Sequence, residues 1–260
     1  MKALTIVIPA YNEEKRIEKT LTKVGNYFAT KNVDVEVLIV VNNTTDNTVN
    51  IIKNLQTKYP FIKYTNINKA IGKGGALSVG FRKSTGKYVA FMDADGASSV
   101  AQLNKLYRTI SNNDDIDIVI ANRYDKDSRI NDLPFYRKIF SRFFNLITRY
   151  VFGLPYSDTQ CGLKIFKAEQ AKSFSKMIIS KKWTIDLNLL LLAKHLDLNV
   201  VSVPIVWSEK GNSTLDIKKA FKEVIKELFV LKINDLKYIF NIDRKLVSKE
   251  NCVSYKAQIM

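Results

Sequence analysis

Two aspartates one residue apart, Asp93 and Asp95 in "FMDADGAS" (91–98), directly follow the apolar run "KYVAF". In an extended segment residues i and i+2 point the same way, so both carboxylates can face one cation. Such oxygen ligands suit Mg²⁺ or Mn²⁺, which commonly take their remaining ligands from substrate phosphates. The competing reading is an acidic turn in which Asp95 caps a helix starting near Ser98. A second candidate is Gly72-Lys73-Gly74-Gly75. Glycines opening a helix let backbone N–H groups approach an anion, assisted by the helix dipole. Its spacing matches neither a Walker loop nor GxGxxG, and a simple tight turn competes. In "NNTTD" (42–46), Thr45 or Asp46 can cap the following helix, and Asn42 can read the edge of a base. His195 is the only histidine; it lies in a leucine-rich helix and reads as structural. No Ser/His/Asp triad, zinc site or reactive-cysteine constellation assembles. Chemistry here has to run on carboxylates, arginines and a metal.

The elements that must position these groups alternate. Strand-like runs at 4–11, 35–41, 62–67, 87–93 and 116–123 are interleaved with helical patterns at 13–28, 48–59, 74–83 and 100–112. Strands apolar on both faces indicate a mostly parallel sheet covered by helices on both sides. Ligands of such sheets bind beyond the carboxyl ends of the strands. "YNEE", "NNTTD", "DADG" and "NRYD" therefore fall along one edge. The second half reads differently. A basic, aromatic segment at 134–153 is followed by a loop entering a short strand (157–169), a buried helix (187–196), a strand (199–207) and an amphipathic helix near 214–240. One domain over 1–212, a C-terminal helix over 213–240 and a polar tail over 241–260 is the economical division.

The chain has 260 residues, with 41 Lys and Arg against 25 Asp and Glu, a formal net charge of +16. That excess favours anionic partners, whether nucleotide, nucleic acid or acidic membrane. The basic residues of 134–153 punctuate aliphatic and Phe runs, which suits an interfacial helix better than nucleic-acid binding. A buried helix with solvated arginines is the plainer alternative. Two cysteines imply no disulfide framework. No window reaches the roughly 20 apolar residues of a membrane span, so attachment is expected to be peripheral.

Taken in order, "IPAYNEE", "NNTTDNT", "GKGGALSVGF", "MDADGAS", "SDTQCGLKIF", "WTIDLNLL" and "VPIVWSEKGNSTL" resemble family 2 glycosyltransferases of the Rossmann-like GT-A fold. Within them the motifs are most similar to dolichyl-phosphate β-glucosyltransferases and polyprenyl-phosphate sugar transferases. The resemblance covers about residues 4–215. It implies an inverting enzyme that moves a hexose from a UDP-sugar to dolichyl or polyprenyl phosphate on the cytoplasmic face of a membrane. Pro9, Tyr11 and Glu13 would border the nucleotide, together with Lys73, Gly74 and Ala94. Asp93 and Asp95 would hold the diphosphate through Mg²⁺ or Mn²⁺. Arg123 and Arg142 match positions expected to meet the acceptor phosphate. Asp158, Gln160, Lys164 and Asp186 would line the sugar and acceptor side. Dimerisation is left open.

One departure bears on the donor. The family commonly carries "DDGS" after its second strand, and alignment on Asp46 and Thr48 puts Val41 and Asn42 at the two acidic positions. An Asn can accept from uracil N3–H and donate to a uracil carbonyl, whereas guanine's two adjacent donors prefer a carboxylate. The substitution leans towards UDP over GDP. A hydroxyl acceptor is the alternative substrate class, with Asp186 as the available base.

Overall fold

The computed structural model describes residues 2–131, 135–208 and 217–239, with side chains described from 141 in the second helical region and from 223 in the last helix. The chain runs β1 (Lys2–Ala10), α1 (Ile17–Ala29), β2 (Val35–Asn42), α2 (Thr48–Lys58), β3 (Ile62–Ile67), α3 (Gly72–Lys83), β4 (Gly86–Met92) and α4 (Val100–Ser111). It continues through β5 (Ile118–Asn122), β6 (Arg129–Asn131), α5 (Phe135–Phe152), β7 (Leu163–Lys167), α6 (Ala168–Met177), α7 (Ile185–His195), β8 (Val200–Pro204), β9 (Val206–Ser208) and α8 (Ile217–Ile239). The order of the main sheet is β3-β2-β1-β4-β7-β5-β8. Only β7 runs antiparallel to its neighbours.

The double-sided apolar pattern does what it predicted. Leu4, Ile6 and Ile8 of β1 face a core shared with Leu21 and Val24 of α1 and Leu103 and Leu106 of α4. Val7, between them, faces the opposite core with Leu77 and Phe81 of α3, Phe174 of α6 and the leucines of α7. Strand side chains alternate between faces, so a run apolar at every position has a hydrophobic layer on each side. Every residue of α7 from Ile185 to Ala193 is buried, Asp186 and Asn188 among the leucines, so the stretch carries apolar residues on all sides instead of along one stripe.

Three readings are corrected, two of them in the second half. The 199–207 strand breaks at Ile205 into β8, in the main sheet, and β9, which pairs with β6 in a separate two-stranded sheet. Helix α6 occupies a stretch that, past residue 169, the sequence reading leaves without an element, because its polar residues, "AEQAKSFSKM", give only a weak apolar stripe. The helix at 13–28 starts later, at Ile17, because Glu13 to Arg16 form the turn beneath the ligand edge. The expected start of the last helix at 214, the "KGNSTL" motif and the tail 241–260 lie outside the described residues.

Candidate active site

The switch in strand order between β1 and β4 opens the carboxyl edge where the motifs gather. Asp93, Ala94 and Asp95 follow β4 directly, and Thr20 of α1 ties them down by donating its hydroxyl to the Ala94 carbonyl at 2.8 Å. Asp95 Oδ1 accepts the Ala97 N–H at 2.9 Å, so it shapes its own turn but leaves Oδ2 without a hydrogen bond among the described residues. The antiparallel β7 begins opposite Met92, which brings Gly162 against the acid pair. A Cβ on Gly162 would stand 1.8 Å from Asp93 Oδ2. The glycine of "QCGLKIF" is therefore space reserved for a carboxylate.

Asp93 Oδ1 meets Lys73 Nζ at 2.9 Å, and the same ammonium reaches Asp186 Oδ2 at 3.4 Å. Asp186 in turn pairs with Lys164, whose ammonium also donates to the Cys161 carbonyl at 2.6 Å. Desolvation raises the Asp93 carboxyl above its ordinary range; Lys73 opposes that rise, and Asp95 and Asp186 add to it. Lys73 goes the other way: burial would lower it, but the two carboxylates outweigh burial and raise it. Burial also raises Glu13, only partly offset by Arg16, and Asp95 and Asp93 push it further. Three carboxylates are thus electrostatically crowded at this edge, and one lysine stands among them. That crowding favours a bound cation. Among the described residues no cluster of three or more His, Cys, Asp or Glu side chains could cage a metal. Asp93 and Asp95 suit a hard divalent ion that completes its shell with phosphate oxygens.

Across the edge, Arg123 forms a two-pronged pair with Asp158, Nε to Oδ2 at 2.8 Å and a terminal nitrogen to Oδ1 at 2.9 Å. Asp158 is only 1% exposed. Burial alone would raise its carboxyl; the Arg123 charge and hydrogen bonds overcome that and lower it. The Arg123 guanidinium lies 5.6 Å from the rings of Tyr124 and Trp207, and Arg142 packs 5.8 Å from the same Tyr124 ring. Two arginines far apart in sequence therefore converge on one tyrosine. Trp207 forms a bridge with Ser98, and Ser208 N–H donates to the Ala97 carbonyl, so β9 links the arginine pair to the turn carrying Asp95.

Other expected residues have different surroundings from those a bare motif suggests. Lys164 and Asp186 are 1% and 3% exposed and paired with each other, so they support the site from below instead of lining it. The Gly74 N–H is taken by the Lys181 carbonyl at 3.0 Å and is not offered to an anion. Cβ atoms on Gly72 and Gly74 would fall 2.2 and 1.8 Å from the Lys181 and Ser180 carbonyl oxygens. The glycines of this turn admit a neighbouring loop. Asn42 is buried at the end of β2, and its carbonyl accepts the Ile71 N–H at 3.0 Å. Pro9, one residue before the end of β1, is half-buried, and Tyr11 just past the strand is 58% exposed, as a ring offered to a base would be.

Several polar atoms of "YNEE" and of "NNTTD" with the residues just after it lace the two loops together. Asn12 Oδ1 accepts from Thr45 N–H, Glu13 N–H donates to Thr48 Oγ1, and Glu14 N–H donates to Asp46 Oδ2. Asp46 Oδ1 also accepts the N–H of Thr48, the first residue of α2, but the cap position itself belongs to Asn47, which makes no side-chain cap hydrogen bond, so neither Thr45 nor Asp46 is the N-cap. Gln160 Nε2 and Asn145 Nδ2 are buried donors without a partner among the described residues. Asn145 of α5 was not singled out by sequence; its side-chain carbonyl holds the Thr159 N–H at 2.7 Å beside Asp158. Cys161, its thiol pushed up to about 12 by burial, is inert at neutral pH.

Comparison with known proteins agrees with this geometry. The family description "Glycosyl transferase family 2" matches residues 5–174. A dolichyl-phosphate beta-glucosyltransferase of Trichomonas vaginalis is 33% identical over 232 residues, covering 85% of this chain and 68% of that protein. The dolichyl-phosphate beta-glucosyltransferase of Saccharomyces cerevisiae is 27% identical over 261 residues, covering 93% and 78%. Among solved structures, glucosyl-3-phosphoglycerate synthase from Mycobacterium tuberculosis, in complex with Mn²⁺, UDP-glucose and phosphoglyceric acid, is similar with a TM-score of 0.60 at 14% identity, covering 84% of this chain and 74% of that one. The fold is that of the GT-A glycosyltransferases. The chain belongs to glycosyl transferase family 2, and it is a glycosyltransferase.

Proposed function

We propose that this glycosyltransferase moves a hexose, glucose foremost, from UDP to dolichyl or polyprenyl phosphate, giving a β-linked lipid-phosphate sugar. The observation that carries the reading is the opposition of two charge sets across one edge. Asp93 and Asp95 stand on the donor side, and Arg123 and Arg142 converge on Tyr124 on the other. The relatives named as dolichyl-phosphate beta-glucosyltransferases supply the substrate class.

A phosphate monoester has a second pKa of about 6 and is already a dianion near neutrality. It needs no general base. Its oxygen attacks the anomeric carbon, the bond to the UDP oxygen breaks with its electron pair, and an oxocarbenium-like transition state lies between. Attack opposite the leaving group turns an α-linked donor into a β-linked product. Arg123 and Arg142 orient the incoming phosphate and offset its repulsion from the diphosphate. Asp158 fixes Arg123, and the Tyr124 ring spaces the two guanidiniums. Mg²⁺ or Mn²⁺, held by Asp93 and Asp95, would neutralise the departing diphosphate. A hydroxyl acceptor would instead require a carboxylate base, and Asp186 between Lys73 and Lys164 is badly placed to take a proton.

In this reading the protein works peripherally on the cytoplasmic face of an anionic membrane. Exposed apolar residues lie on α5 (Phe143, Leu146, Tyr150) and α8 (Phe229, Val230, Ile233), and the two helices border an apolar groove lined by Ile147, Val151, Ile225 and Phe229. No helix among the described residues is long and apolar enough to cross a membrane. The net charge of +16 favours anionic headgroups. The test is solvent extraction after incubation with labelled UDP-glucose. Label should enter an organic-soluble product only when polyprenyl phosphate and a divalent cation are both present. Label confined to water-soluble glycan would overturn the lipid-phosphate acceptor.

A further inference from the structure

Helix α8 carries one carboxylate that its outward apolar face does not explain. Glu227 Oε1 accepts the N–H groups of Lys181 and Lys182 at 3.3 and 2.9 Å. Its Oε2 accepts those of Trp183 and Thr184, both at 3.0 Å, with the Thr184 hydroxyl at 2.9 Å and the Ser180 hydroxyl at 3.3 Å. Four successive backbone donors and two hydroxyls thus converge on a single side chain from another element. One turn earlier, Glu223 accepts from the Trp183 indole at 3.1 Å and from Lys182 Nζ at 2.8 Å. These four N–H groups belong to the loop that leads into α7, whose N-cap, Thr184, makes no side-chain cap hydrogen bond of its own.

What this loop touches gives the arrangement its consequence. The Ser180 and Lys181 carbonyls fill the space left by Gly74 and Gly72, and Lys181 O receives the Gly74 N–H. Lys73 sits between those glycines and reaches Asp93. Asp186, two residues past the loop, grips Lys73 from the other side. The path from α8 to the donor-side acid pair is therefore continuous: Glu227, loop 180–184, the glycine turn together with Asp186, then Lys73 and Asp93. Each contact is a hydrogen bond, ion pair or backbone approach with no slack for a side chain.

We infer that Glu227 is a positioning residue for the donor site: its carboxylate locks loop 180–184, and through it sets Lys73 and Asp93 in the geometry that receives a nucleoside diphosphate with its divalent cation. The inference rests on the proposed function. It also makes the seating of α8 a condition for donor binding. An enzyme whose acceptor is a lipid would then have its donor pocket in order only while its surface helix is in place.

The experiment measures UDP binding in the presence of Mn²⁺ by calorimetry on the full chain, for the native protein, Glu227→Gln and Glu227→Asp. Hydrogen exchange is followed on the same samples. Removing a charged acceptor shared by several donors should weaken donor binding by about tenfold or more. In Glu227→Gln, exchange should accelerate at 180–184 and 72–76 while β1, β2 and β4 remain protected. Glu227→Asp, which keeps the charge, should recover part of the affinity. A purely structural role would lower the unfolding temperature without changing donor affinity, and that result overturns the inference. So does unchanged exchange at 72–76, a readout that needs no nucleotide. If the native protein itself fails to bind UDP with Mn²⁺, the donor assignment falls and this inference falls with it. Equal binding by native and variant proteins sinks the inference alone.

Discussion

Gly162 shows how a single hydrogen atom can matter to a carboxylate proposed to hold a metal ion. Gly162→Ala would drive a methyl into Asp93 Oδ2, displacing the carboxylate and leaving the strand pairing intact. The expected outcome is a loss of about a hundredfold in kcat/KM with little change in the unfolding midpoint, because displacements near 1 Å are costly to catalysis. Activity near the native level would contradict the placement of Asp93. Arg123→Ala should behave oppositely, costing about 3–5 kcal/mol in denaturant titrations by leaving Asp158 charged and buried. The sign with pH follows from the lowered Asp158 carboxyl. Its contribution is present above the ordinary carboxylate pKa and is lost as pH falls through the folded value. In Arg123→Ala that acid-side loss should shrink. The acid pair was legible from two-residue alternation past an apolar run. Gly162 was not, since its role depends on β7 pairing antiparallel with β4, and no local pattern announces that. Lys164 and Asp186 did leave a trace: opposite charges set inside "GLKIF" and ahead of "LNLLLL", two stretches otherwise fit for burial.

Helix α8 holds its place through a second cluster besides Glu227. His195 at the end of α7 stacks on Tyr238 at 4.0 Å between ring centres and meets Asp235 at 2.8 Å. Lys232 also pairs with Asp235, and Tyr238 OH donates to the His195 carbonyl. Burial lowers the imidazole below its ordinary pKa, Asp235 opposing and Lys194 assisting. The sign is then fixed: on acidification the unfolded state takes up a proton that the folded state resists, so stability falls below about pH 6.5. Thermal unfolding followed from about pH 7.5 to 5.5 should show this slope, and His195→Phe should flatten it. An unchanged slope would exclude His195 as its source. The amphipathic pattern of this helix could be read from sequence, but its partners could not. A histidine in a leucine-rich helix and an aspartate forty residues later carry no mutual signal until α7 and α8 are packed. The three-residue strand β9 was likewise hidden, being too short to alternate.

At the scale of the whole molecule, the parallel sheet with helices on both sides was the most readable feature, since the central strands β1, β2 and β4 are apolar on both faces and α1 and α4 each carry an apolar stripe. The charge was equally plain, and its consequence is testable. Binding to anionic vesicles should fall steeply as salt rises from about 0.1 to 0.5 M, while binding to neutral vesicles stays weak throughout. Salt-independent binding would leave the exposed apolar faces of α5 and α8 as the sole attachment and contradict an electrostatic contribution. The central claim concerns the acid pair, where Asp93 and Asp95 are proposed to meet a diphosphate through a divalent ion. Its most direct measurement is a calorimetric titration of UDP into native protein and Asp95→Asn, with and without Mn²⁺. The account predicts binding that requires the ion and is lost in the variant. Equal affinity without Mn²⁺, or with Asp95→Asn, would contradict it.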